Sequence, residues 1–518
     1  MALKHTSLLG SVAAFFGLML AGCQPLPSIE QRPSSSALPI EQARDTQLGR
    51  AIDRHTTNHP GTSGLHLLED PGDAFAARAL LARAAERTLD VQYYIWKDDL
   101  TGTLLLQSLH EAAGRGVRVR LLLDDLGNAL PDTTLAILDA HPNIQVRLFN
   151  PFRQRRLNWL GFVTDFSRVN RRMHNKSFTA DNQVTIIGGR NVADQYFGAT
   201  DGTLFSDLDV LAVGPVVQEL SEDFDAYWAS ASAYPVDRLF PARSAEELVL
   251  LDAEAERVRQ LPAAAHYIEE LEDSHLIQAL LNERLVFVWA DTRLLSDDPA
   301  KGLGQIPREG YLLNHLAAAM QGNERSLNLV SAYFVPSHQG ARMLTELADK
   351  GVKINVLTNS LAATDVALVY SGYAKRRKPL LKAGITLYEM RAEEQNIGPR
   401  DNPRPFSSSS TSLHAKTLGM DGETFFIGSF NFDPRSAVFN TELGFLIDSP
   451  EIATALQHAF EQRIPERAYQ VHLGEDGDLF WTSRQDGQTH RYEVDPKTSW
   501  LKRLAVRFFS LLPIDRLL

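Results

Sequence analysis

The feature that most constrains this chain is a pattern that occurs twice. His174, Lys176 and Asp181 precede Gly188, Gly189 and Asn191 in HNKSFTADNQVTIIGGRN. His414, Lys416 and Asp421 precede Gly428, Ser429 and Asn431 in HAKTLGMDGETFFIGSFN. A single H-x-K-x4-D arises readily by chance, but two copies with one downstream Gly and Asn spacing do not. Flanking landmarks return at nearly the same interval. ERTLDV at Glu86 is echoed by ERSLNL at Glu324, and GVRV at Gly116 by GVKI at Gly351. The offsets are 238 (324 − 86), 235 (351 − 116) and, for the histidines, 240 (414 − 174). The sequence therefore predicts an internal duplication whose two copies pack as one pseudo-symmetric body, with both His motifs at the interface.

Within each copy strands and helices alternate. Ala74 to Arg87 is helical in pattern, Leu89 to Trp96 reads as a strand, and Thr103 to Gly114 as an amphipathic helix ending at a glycine. Val117 to Leu123 is a β-branched apolar run of the buried parallel kind. The expected class is α/β, with two repeats, each a mixed or parallel sheet flanked by helices, packed into one bilobal body. The first repeat is expected over 65–242 and the second over 311–470. A connecting helical region, rich in Glu, Ala and Leu from Ala245 to Gln278, is expected over 243–310. Residues 471–518 form a C-terminal extension in which Trp500, Leu501, Leu504, Phe508 and Leu511 alternate with Lys502, Arg503 and Arg507. Such a basic amphipathic helix suits either a membrane surface or the protein core.

The 518 residues, 44% of them hydrophobic, suffice for more than one core, and the formal net charge of −12 disfavours non-specific nucleic-acid binding. The only cysteine stands where export would use it. Lys4 supplies a basic start, Leu8 to Leu20 an apolar run too short to span a bilayer, and Leu20-Ala21-Gly22-Cys23 a small-residue cleavage site. This resembles the lipobox of bacterial lipoproteins, which implies a signal peptide over 1–22 and lipidation of Cys23. Gln24 then implies a periplasm-facing outer-membrane destination in a Gram-negative cell. Residues 23–64, polar and containing Pro33-Ser34-Ser35-Ser36, read as a flexible tether.

The motifs can carry phosphoryl chemistry. His-x-Lys on a strand places both side chains on one face, so each pair is expected to point into a common cleft. Lys176 and Lys416, with Asn191, Ser429 and Asn431, make a cage suited to a phosphodiester. One His attacks phosphorus while the other protonates the leaving oxygen. The lysines neutralise the developing charge, so neither metal nor cofactor is expected. An imidazole in this role needs an acceptor on its second nitrogen. Asp207 and Glu442, 33 and 28 residues after His174 and His414 on strands flanking the motifs, are the candidates, each for its own half. The motif aspartates Asp181 and Asp421 complete the catalytic signature and read as structural, fixing strand and turn. The low-complexity run Asn402 to Ser412 reads as a loop at the rim of the site.

These residues resemble the phospholipase D superfamily over roughly 65–470, and DVQYYIW, GVRVRLLLDD, DFSRVNRRMHNK and KPLLKAGITLYE are most similar to bacterial cardiolipin synthases with two motifs. The resemblance implies a covalent phosphatidyl-histidine, with His174 the nucleophile and His414 the acid and base. It implies phospholipid partners, phosphatidylglycerol first and phosphatidylethanolamine as a further candidate. Gly189, where the second motif has Ser429, departs from equivalence. Transfer to an alcohol, hydrolysis as a phospholipase D, and a secreted phosphodiesterase or nuclease share every motif residue. The stretch from Phe152 to Lys176 carries Arg153, Arg155, Arg156, Arg168, Arg171 and Arg172 among Trp159, Phe162 and Phe166, a patch suited to a phosphate backbone or to an anionic bilayer. Lys375 to Lys378 adds a second basic cluster. Export and acidity weigh for lipid, and no nucleic-acid partner is expected.

Overall fold

A computed structural model describes residues 25–155, 157–199, 204–392, 411–485 and 487–511. The signal peptide and Cys23 fall outside them, as does the rim loop up to residue 410. The first half contributes strands β1 (Ser63–Leu68), β2 (Thr88–Tyr93), β3 (Arg118–Asp124), β4 (Ile144–Phe149), β5 (Ser177–Ala180), β6 (Val184–Gly188), β7 (Leu204–Ser206), β8 (Asp209–Val213) and β9 (Ala233–Pro235). The second contributes β10 (Val288–Ser296), β11 (Ser326–Ser331), β12 (Lys353–Asn359), β13 (Thr386–Met390), β14 (Thr411–Leu413), β15 (Lys416–Met420), β16 (Thr424–Gly428), β17 (Leu443–Asp448), β18 (Ala468–Leu473), β19 (Leu479–Gln485) and β20 (Gln488–Tyr492).

Each half is a mixed sheet. β2, β3 and β4 run parallel, and β2 pairs antiparallel with β5, then β6 and β8. In the second half β11, β12 and β13 repeat the parallel set, and β15, β16 and β17 the antiparallel one. β1 joins β8 on one side and β10 on the other, so the two sheets are continuous. Their facing sides bury Ile187, Val210 and Ala212 against Phe425, Ile427 and Phe445, one apolar core shared by both halves. These strands hold Val, Ile and Phe on consecutive positions because both faces are covered.

Three boundaries differ from the sequence reading. The expected tether is not free of structure: Gln47–Thr56 is helical, capped by the Thr46 hydroxyl on Gly49 N, with Leu48 and Ile52 buried in the first core. The cap and the Leu48/Ile52 spacing satisfy a helix within ten residues, too short to show as a sustained period. The connecting region 243–310 is not wholly helical, because it holds β10, which pairs with β17 in register from Asp291↔Asp448 to Ser296↔Leu443. The extension after residue 470 is not an appendage, because β18 and β19 widen the second sheet beyond β13.

The arginine patch also reads differently. Arg172 is fully buried against Asp124, Arg155 pairs with Asp125 and Asp132, and Arg153 and Arg168 pair with Asp165. Only Arg172 is sealed inside the protein, and Arg153 and Arg168 share one carboxylate at the surface, beside Trp159 (61%), Phe162 and Phe166, which stay exposed. In the second basic cluster Arg377 is buried against Glu389 and Asp495. Among the described residues no helix is long and apolar enough to cross a membrane.

Candidate active site

Each motif is anchored at its aspartate. Asp181 and Asp421 open the hairpin loops β5–β6 and β15–β16 with φ of 51° and 54°, a region Asp tolerates better than most residues. Asp181 carboxylate oxygens accept from Glu86 N, Arg87 N and Thr88 N at 3.0, 2.8 and 2.9 Å. Asp421 accepts from Glu324 N, Arg325 N and Ser326 N at 3.0, 2.9 and 2.8 Å. Both carboxylates fix the start of the neighbouring parallel strand, so neither is free for chemistry.

The histidines do not sit on strands, contrary to the sequence reading. His174 lies three residues before β5, and His414 lies between β14 and β15. Their positions come from short pairings between the halves. Met173 bridges Thr441 in parallel, with His174 N donating to Thr441 O at 2.9 Å. In mirror fashion β14 pairs in parallel with β7, Leu413 opposite Ser206, with His414 N donating to Ser206 O at 2.7 Å. The residue after Thr441 is Glu442, and the residue after Ser206 is Asp207.

The carboxylates consequently cross over. His174 Nδ1 is 2.8 Å from Glu442 Oε2, and His414 Nδ1 is 2.6 Å from Asp207 Oδ2. The expectation that each half supplies its own orienting carboxylate is corrected, because a parallel lead-in from one half delivers its carboxylate to the other. Among the described residues Nε2 of His174 is left without a protein hydrogen bond, and Nε2 of His414 meets only Lys416 Nζ, at 3.4 Å. Lys176 Nζ and Lys416 Nζ each donate to the carbonyl of the His two residues before. All four side chains are buried.

Electrostatics couples the two half-sites. Burial, aided by Lys176 and Lys416, pulls His174 down to about 4 against the opposing pull of Glu442. Burial and Lys416 bring His414 to about 4, with Asp207 opposing. Lys176 falls to about 7, again from burial first, and Lys416 is lowered for the same reason. Asp207 is held at about 2 because His414, Lys416 and Arg190 outweigh its burial. Both imidazoles are thus neutral nucleophiles or bases in the free enzyme, and an arriving phosphodiester would favour the charged lysines.

Ser429 belongs with the carboxylate, not with the phosphate cage. Its Oγ donates to Glu442 Oε2 at 2.5 Å and accepts from Leu443 N at 3.0 Å, so both of its roles are taken. Gly189 explains itself in the same place. A Cβ there would come within 2.1 Å of Asp207 Oδ1, because the shorter aspartate lies back against the strand where the second half has a serine. Asn191 is largely committed as well, with Oδ1 accepting from Ile95 N and Nδ2 donating to Tyr196 Oη. Asn431 Oδ1 is buried and unpartnered.

Three aromatics that the motif reading passed over complete the walls. Tyr94 lies edge-on to His174 with ring centroids 5.0 Å apart, and Tyr196 and Phe205 flank His414 at 5.1 and 5.0 Å. Tyr94 stands in the strand-end phrase DVQYYIW, whose parallel-strand exit was a legible signal. Nothing local marked Tyr196 or Phe205. They also shield the imidazoles from water and so contribute to the low pKa values.

Two buried histidines, two buried lysines and crossed carboxylates at a pseudo-dyad make an arrangement chemically suited to in-line displacement at a phosphodiester. The sequence model described as cardiolipin synthase, PLD-like domain, matches residues 78–228 and 316–464. The chain is 47% identical over 479 residues to cardiolipin synthase C of Escherichia coli (strain K12), covering 91% of this chain and all of that protein. It is 32% identical over 472 residues to an uncharacterized protein of Helicobacter pylori (strain J99 / ATCC 700824), covering 90% of this chain and 92% of that one. Among solved structures, phosphatidylserine synthase of Haemophilus influenzae Rd KW20 shares the fold at a TM-score of 0.56 and 13% identity, over 90% of this chain and 98% of that chain.

Proposed function

The chain belongs to the phospholipase D-like family of cardiolipin synthases, and from that membership we propose that it is a membrane-associated phosphatidyltransferase making cardiolipin. The observation that carries the chemistry is the crossed pair of His–carboxylate contacts, which commits Nδ1 of each imidazole and leaves Nε2, met in His414 only by Lys416 Nζ, as the nitrogen for a shared phosphorus. His174 Nε2 attacks the phosphorus of phosphatidylglycerol, and the bond to the glycerol oxygen breaks. His414, protonated once the anionic substrate offsets the lysine charges, gives its proton to that oxygen and glycerol departs. The now neutral His414 takes the hydroxyl proton of a second phosphatidylglycerol. The oxygen so freed attacks phosphorus, and the P–N bond to His174 breaks, releasing cardiolipin. Lys176 and Lys416 balance the charge that grows on the non-bridging oxygens.

Membrane attachment through an acylated Cys23 and the exposed stripe of the helix Trp500–Ser510 is part of the same reading. That helix buries Val506 yet leaves Trp500, Leu501, Leu504 and Phe508 exposed, the reverse of a helix satisfied by its own core. Orientation toward the periplasm from the outer membrane follows from the lipobox reading.

Lipid analysis after incubating purified protein with phosphatidylglycerol vesicles, with and without phosphatidylethanolamine, tests the proposal. Cardiolipin with released glycerol, or with released ethanolamine in the mixed vesicles, supports it. Phosphatidic acid as the main product makes the enzyme a hydrolase, and unchanged lipid in all arms rejects the reading.

A further inference from the structure

The duplication is filled in one half and open in the other. In the first half the helices Pro71–Ala84 and Leu100–Gly114 pack directly together. The space beside them is plugged by three rings: Phe75 and Phe197, 5.6 Å apart, and Tyr267, 5.3 Å from Phe75 and hydrogen-bonded to Phe197 O. Tyr267 comes from the connecting helix Pro262–Asp273. In the second half the counterparts Leu312–Gln321 and His338–Asp349 stand on either side of a cavity of about 660 Å³. Position 75 becomes Leu313 (offset 238), and position 197 becomes Ala437 (offset 240). Both line the cavity.

The cavity adjoins the site. Phe430, Phe432 and Asp433, which surround Asn431 in the second motif, form one of its walls. A smaller void, bounded by the same two phenylalanines, lies between that wall and Lys416. A flexible hydrocarbon chain fits the volume, and Met343 gives it an adaptable contact. We propose that this cavity is a subsite for one acyl chain of the phospholipid, left open where the second copy lacks the aromatic plugs that the first copy holds. The subsite rests on the phosphatidyltransferase reading for the identity of the chain it takes.

Refilling the cavity from the first copy's own design tests this. Binding of lysophosphatidylglycerols with 6, 8, 10 and 12 acyl carbons, used below their micelle concentrations, would be measured by calorimetry on the full-length protein and on L313F/A437F. Chain-free glycerophosphoglycerol serves as reference. The wild type is expected to gain up to roughly fourfold in affinity per added methylene. The double variant is expected to flatten that dependence while binding the reference equally. A single A437F substitution, less demanding on folding, should flatten it in part. Equal chain-length dependence in wild type and variants overturns the subsite. Turnover of phosphatidylglycerol is followed in the same preparations. A flattened dependence without any turnover keeps the subsite and rejects the enzymatic reading, and normal turnover without a chain-length effect does the opposite.

Discussion

His174 and Glu442 are 268 residues apart in sequence and 2.8 Å apart in space, and they belong to opposite halves. Together with the Asp207–His414 contact this makes each half incomplete without the other: one copy supplies the imidazole, the other its orienting carboxylate. A single repeat therefore cannot hold an oriented histidine, so the duplication is a requirement of the chemistry as this chain arranges it.

The crossing assigns roles that variants can separate. Glu442→Gln replaces the anionic acceptor of His174 with a neutral amide, so it should slow formation of the phosphatidyl-histidine by on the order of 10³–10⁴, the scale of losing an orienting carboxylate in other His-dependent hydrolases. Asp207→Asn disarms His414, so the adduct should form slowly and persist. Intact-protein mass spectrometry after mixing with phosphatidylglycerol reads both. An adduct that accumulates in Glu442→Gln but not in Asp207→Asn would reverse the nucleophile assignment.

Gly189 and Ser429 occupy matching positions with opposite tolerances. Gly189→Ser would drive its side chain into Asp207 and is expected to lower kcat at least a hundredfold through a misplaced His414. Ser429→Ala only removes one hydrogen bond to a charged carboxylate, worth about 1.5–3 kcal/mol, hence a loss of roughly ten- to a hundredfold. Steady-state kinetics on the two variants, with circular dichroism to verify the fold, checks the ordering.

Much of this site was legible in advance. The two motifs named both histidines and lysines, and the two carboxylates were found by their distance downstream. The crossing was not, because it depends on β7, β14 and a lone bridge at Met173, pairings of three residues or fewer that leave no periodic trace. The buried fate of Arg172 was invisible for a related reason: its partner Asp124 ends a strand 48 residues earlier, and charge patterning alone marks both as surface residues. The helix Gln47–Thr56 carried a readable cap, but its ten residues were outweighed by the surrounding Ser and Pro.

The motif aspartates should affect stability rather than chemistry, and unequally. Asp181 is fully buried and satisfies three backbone N–H groups, so Asp181→Ala is expected to cost about 3 kcal/mol. Asp421 makes the same three bonds to Glu324, Arg325 and Ser326, which lie where water can replace it, and Asp421→Ala should cost about 1 kcal/mol. Chemical denaturation of the two variants reads the difference. Residual activity per folded molecule is expected within a few-fold of wild type.

The pH dependence follows from burial of charged groups in the site. For kcat/KM, which reports the free enzyme, activity should fall as pH drops through about 4, because protonated His174 cannot attack. It should decline as pH rises, first because fewer free molecules carry the His414 proton that the leaving oxygen needs, and more steeply through about 7, where Lys176 loses the proton that makes it a phosphate ligand. Substrate binding adds a negative charge beside Lys176 and so raises its pKa. The alkaline limb of kcat should therefore lie above that of kcat/KM. Lys176→Arg keeps its charge throughout this range, so the steeper fall near 7 should disappear even though misplacement lowers its rate. Profiles measured from pH 3 to 10 on both proteins decide it: a fall near 7 retained in Lys176→Arg would assign that titration to Lys416, the other lysine of the site, whose pKa burial also lowers.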